Sequence, residues 1–128
     1  MFSNEVADYF AHKGGDVFVP NLRSTNNYHV RLGENEIELL DRPGLVPIPL
    51  SAFDKVEECL NNGIHTPGNA RVRLGDSKLD CNTIMYYIGR DVFGVTEGNP
   101  IIDNSCYLFA ILDAAGCITR RRGYIDFA

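Results

Sequence analysis

The dominant spacing of apolar residues changes at Ser51, a short helix before the strands and a terminal hairpin after the helices aside, and that change settles most of what the chain can fold into. Before Ser51 apolar and polar residues alternate, which is the two-residue period of half-buried strands. After it they recur every three or four residues, which is the period of helices. Asp16–Leu22 is rich in β-branched and aromatic residues (Val17, Phe18, Val19) and closes near Pro20. Tyr28–Leu32 places Tyr28, Val30 and Leu32 on one face and His29 and Arg31 on the other. Gly33-Glu34-Asn35 gives a tight connection to Glu36–Leu40, where Ile37 and Leu39 alternate with Glu36 and Glu38. These segments predict an antiparallel meander with one acidic, wet face. Leu45–Ile48 adds a short edge strand among Pro43, Pro47 and Pro49, and a short helix capped by Ser3 or Asn4 precedes it all, ending at Gly14-Gly15.

Beyond Ser51, Phe53, Val56 and Leu60 mark a helix, with Ser51 and Asp54 as an approximate capping box and Asn61-Asn62-Gly63 as its stop. Asn69–Leu74 reads as extended. A second helix is predicted from an Asp80 cap, stacking Ile84, Ile88 and Val92 with Met85 beside them. Gly89 opposes it by about 1 kcal/mol of helix preference. A third helix runs from Asp103 or Asn104 to Ala115 and stops at Gly116. It is apolar almost all round, with Asp113 its one charge, so it is expected to be core. Both flanks of Arg120-Arg121-Arg122-Gly123 alternate, predicting a terminal β-hairpin tipped by three arginines. The expected fold is a single α+β domain over residues 1–128. Its N-terminal part, residues 1–50, is a short helix and an acidic antiparallel ribbon or meander. Its C-terminal part, residues 51–128, is a three-helix unit ending in a hairpin.

Charge narrows the partners. The formal net charge is −5, and residues 1–63 hold five basic against ten acidic side chains while residues 64–128 hold seven of each. An overall negative field opposes non-specific attraction to phosphate, so nucleic-acid contact would have to be local. No apolar stretch approaches the roughly 18 residues of a membrane span, so no membrane partner is expected. The opening Met1-Phe2-Ser3-Asn4-Glu5 lacks the basic and long apolar regions of a signal peptide, which predicts a cytoplasmic location. Cys59, Cys81, Cys106 and Cys117 contain no CxxC pair and read as reduced thiols rather than zinc ligands.

No motif predicts a metal or cofactor. The run Asp76–Asn82 resembles a calcium loop only faintly, with Cys81 and Tyr87 where glycine and an acid are required. His12, His29 and His65 each stand without an identifiable partner, and no GxSxG, P-loop, GxGxxG or HExxH sequence occurs. The chain is read as non-enzymatic with no catalytic residue assigned; the third reading, an enzyme, would require a deep pocket holding one of these histidines beside a cysteine or carboxylate.

Three helices followed by a hairpin, over residues 51–128, resemble the winged-helix variant of helix-turn-helix domains, at the level of element order only. The resemblance implies DNA binding with Arg120, Arg121 and Arg122 as wing-tip contacts, since guanidinium groups pair with phosphate oxygens. The third helix departs from that pattern, offering only Asn104 for base reading. Arg71, Arg73 and Arg90, with Lys78, Tyr86 and Tyr87, form a second basic and aromatic cluster, though Asp76, Asp80 and Asp91 are interspersed. The expected function is a module making local nucleic-acid contacts in a regulatory or defence-related assembly. The alternative is a protein-interaction module (a small inhibitor, immunity protein or adaptor) that offers Glu34, Glu36, Glu38 and Asp41 to a basic partner protein. The oligomeric state is left open, a homodimer included.

Overall fold

The first backbone N–H groups of a helix have no partner within it and must find one elsewhere. In the computed structural model, which describes residues 1–128, helix α1 (Phe2–His12) finds its partners on α2 (Leu50–Asn61). The Glu57 carboxylate accepts the N–H of Phe2 and the Asp54 carboxylate that of Ser3, each at 2.9 Å. This corrects two expectations. Ser3 lies inside α1 rather than capping it, and Asp54 serves α1 instead of a capping box on its own helix. Helix α2 starts directly after Pro49, whose φ of −62° leads the chain in, so Ser51 is already in the first turn.

Alternation holds from Asp16 to Leu39. Strands β1 (Asp16–Pro20), β2 (Asn27–Leu32), β3 (Glu36–Leu39) and β4 (Ile48–Pro49) form one antiparallel sheet in chain order. Val17 faces Val30, Val30 faces Leu39, and Ile37 faces Ile48, so one side of the sheet is a continuous aliphatic surface. The other side carries Phe18, His29, Arg31, Glu36 and Glu38. The predicted meander is present, but its edge strand is Ile48–Pro49 rather than Leu45–Ile48, with Pro47 before it and Pro49 within it lacking ladder donors.

The second half departs further from expectation. Asp80 does not cap a helix: its carboxylate accepts the Asn82 N–H at 2.9 Å and closes a turn, and Thr83 precedes the first helical residue. From there the chain makes a single α-helical turn, α3 (Ile84–Tyr87), and runs into a π-helical turn over Ile88–Val92. Gly89 sits in that wider turn because a Cβ there would lie 2.5 Å from Ile101 Cγ2. Asn69–Leu74 is a series of turns rather than a strand, touching Asn99 and Pro100 through single backbone contacts.

Helix α4 (Ser105–Ala114) buries every residue from Tyr107 to Leu112, in line with its apolar circumference. Gly116, at φ 78°, ends it: its N–H bonds the Asp113 carbonyl and that of Cys117 the Leu112 carbonyl. Strands β5 (Ile118–Arg121) and β6 (Tyr124–Phe127) close the chain, joined by Arg122-Gly123. The arginine tip is corrected here, because Arg120 and Arg121 lie in the strand on opposite faces and Arg122 alone occupies the turn. The hairpin does not project freely, since the Ile125 N–H donates to the His65 carbonyl at 2.8 Å.

The molecule is thus a mixed α+β fold, and one cluster of 31 buried apolar residues draws on every helix, the four-stranded sheet and the hairpin. No helix is long and apolar enough to cross a membrane.

Candidate functional site

Four separate segments converge beside the first turn of α4. They are the β1–β2 loop around Arg23, the loop from Thr66 to Lys78, residues 103–106, and the hairpin. Between them lie two adjoining clefts of about 480 and 520 Å³, which share Pro67, Gly68, Ser105, Cys106 and Gly123. Gly68 makes their common wall possible. Its φ is 92°, and a Cβ there would meet the Thr83 Cβ at 2.8 Å.

The charge around these clefts is mostly positive. Arg23, Arg120 and Arg121 line the first, and Arg71 and Lys78 the second; the single carboxylate is Asp103. Arg71 approaches Asp103 at 3.8 Å but keeps 87% of its side chain exposed, so the pair is loose and solvated. Arg121 rests over the Tyr124 ring at 4.8 Å with its guanidinium in solvent.

Arg120 behaves differently. Its Nε–H donates to Asp113 at 2.8 Å and a second N–H donates to the Pro20 carbonyl at 3.1 Å. With 7% of its side chain exposed, it is a clamp between β5, α4 and the end of β1, and not the outward wing-tip contact expected of it.

The floor where the clefts meet is the start of α4. The first N–H of this region to find a helical acceptor is that of Leu108, on the Asn104 carbonyl at 3.1 Å. Asn104 is buried to 1% exposure and neither side-chain polar atom has a hydrogen-bond partner. Cys106, on the second residue of α4, is exposed. Burial raises the neighbouring Tyr28 phenol above its ordinary value, with Cys106 adding to the effect.

Other predicted residues lie apart. Arg73 donates to the Gly98 carbonyl at 3.0 Å, and Arg90 pairs with Asp91 at 2.7 Å while stacking over Tyr86 and Tyr87; neither lines the clefts. Arg122 stands at the hairpin turn, exposed. The histidines are elsewhere: His12 on α1, His29 bonded to Asp16 and stacked on Phe18, and His65 stacked on Tyr124.

The acidic ribbon is not one free patch. Glu34 is exposed and Glu36 half-buried, but Glu38 accepts from Arg31 Nε at 2.9 Å. Asp41 accepts the Tyr107 hydroxyl at 3.2 Å, and burial with this carboxylate beside it pushes Tyr107 up to about 12. Arg23 is the cleft residue that sequence reasoning passes over. Its only signal is a lone cation in the Asn-, Ser- and Thr-rich stretch Asn21–Asn27, the composition of an exposed loop.

Comparison with protein families, curated proteins and solved structures finds no match to this chain.

Proposed function

We propose that this protein is a non-enzymatic module that contacts nucleic acid locally through the joined clefts and the adjacent hairpin. One observation carries the reading: four cationic side chains outside the Arg120 clamp, Arg23, Arg121, Arg71 and Lys78, line adjoining clefts against one carboxylate, Asp103, on a chain whose net charge is −5. Such a local field offsets the repulsion a phosphate backbone would meet elsewhere on the surface. The succession α2, α3, α4 and hairpin supports a likeness to winged-helix domains. A sealed α4 supports backbone contact over base reading, so weak sequence preference is expected. The acidic ribbon is less well supported as a partner surface, because Glu38 and Asp41 are already engaged.

Fluorescence anisotropy with labelled oligonucleotides at low salt tests this. Binding should fall steeply as salt rises, and the combined substitution R71A/K78A/R121A should weaken it by more than tenfold. Absence of binding at 50 mM salt, or equal binding by the triple variant, would overturn the proposal.

A further inference from the structure

We infer that the ligand these clefts accept is a single strand of nucleic acid rather than a duplex, an inference that rests on the nucleic-acid reading above. The argument starts from shape. A duplex carries its phosphates on a convex cylinder and is usually engaged by a projecting helix or ribbon that enters a groove. Here α4 is buried from Tyr107 to Leu112 and Arg120 is pinned to Asp113 and the Pro20 carbonyl, which leaves Arg122 alone exposed at the hairpin turn, outside the clefts. The remaining cations, Arg23, Arg121, Arg71 and Lys78, stand around a concavity. Each half has a volume of the order that holds a small molecule, which suits the separate bases and phosphates of an extended strand better than the convex side of a duplex.

The lining fits a strand in a second respect. Bases freed from pairing need apolar or aromatic surface, and base stacking gives affinity without sequence reading. The first cleft supplies Leu22, which is 49% exposed, and the half-buried Tyr28, whose ring is held against Tyr107 at a centroid distance of 4.4 Å. The second cleft, with Arg71 and Lys78 and little apolar lining, supplies phosphate contacts. A strand laid across Gly68 and Gly123 would thus place a base at one end and backbone at the other.

The test compares a labelled 12-nucleotide oligo-dT, a 12-base-pair duplex, and unlabelled inorganic tripolyphosphate as competitor, on the full chain. Oligo-dT should bind at least tenfold tighter than the duplex. Its affinity should fall with salt with a logarithmic slope near −3, since each neutralised phosphate contributes about 0.7 on single strands. Replacing Arg23, Arg71, Lys78 or Arg121 singly with Ala should reduce that slope by about 0.7. L22A should weaken oligo-dT severalfold and leave the slope unchanged, which a purely electrostatic site would not show. All five positions are exposed, and circular dichroism of each variant confirms its fold. Equal or tighter duplex binding would overturn the inference and leave the nucleic-acid reading standing. Failure of both oligonucleotides would overturn both. Displacement by tripolyphosphate at matched phosphate concentration would show that only phosphate is recognised, and would also overturn the inference.

Discussion

The molecule contains two antiparallel ribbons, and they use alternation to different ends. In the meander every inward position is apolar, and the charged residues all face out, where they pair across strands: Asp16 with His29 and Arg31 with Glu38. In the hairpin Ile118, Arg120 and Ile125 share the inward face, so an arginine occupies a place that Val30 or Ile37 would hold in the meander. A charge in that position needs matched partners, and it has Asp113 and the Pro20 carbonyl. Arg121, one residue on, faces out and is free. Parity along the strand, not residue type, decides which arginine holds the fold together and which is left to solvent.

The comparison breaks most visibly at the meander's centre. Ile37→Ala removes a fully buried side chain and should lower stability by about 3 kcal/mol in urea unfolding. Arg120→Ala should lower it by about 1.5 kcal/mol, less than for a sealed ion pair because Asp113 keeps 44% of its side chain in water. A loss below about 0.5 kcal/mol for Arg120→Ala would show that the clamp is idle. Arg121→Ala should change stability by less than about 0.5 kcal/mol, and a larger loss would erase the distinction between the two neighbours.

Smaller effects separate the ribbons by pH and by thiol chemistry. Burial, with Glu5 accepting from the sulfur at 3.4 Å, pushes the Cys117 thiol beside β5 up to about 12, and burial pushes Cys59 up to about 11. The folded state holds these protons more tightly than the unfolded chain does. Their contribution is therefore complete below the ordinary thiol value of 9.0 and is lost as pH rises towards 11 and 12. Melting temperature should fall across that window, and Cys117→Ala should flatten the fall; an unchanged slope would refute the assignment. At pH 8, iodoacetamide should label Cys81 and Cys106 well before Cys59 and Cys117, as mass spectrometry would show.

The meander and the apolar α4 were legible in the sequence because each is a local pattern: a two-residue period in one, an apolar circumference in the other. The π-helical turn was not, because the reason for Gly89 is a close approach by Ile101, twelve residues away and outside the helix. The Asp80 cap failed for a related reason, since a side chain that can cap a helix can equally close a turn two residues ahead. Of the six predicted arginines, Arg71, Arg120 and Arg121 line the clefts, because the loop before α3 folds back beside the hairpin and the first turn of α4. Four distant segments build that concavity, and no spacing within any one of them announces it.

Asn104 opens the oiliest rod in the molecule with an amide that nothing answers. A group sealed in that way forgoes roughly 1–3 kcal/mol of firmness. The N-terminal joint of α4 is consequently less tightly welded than its apolar composition implies, and an apolar residue of similar volume at Asn104 would leave the rod harder to pry loose.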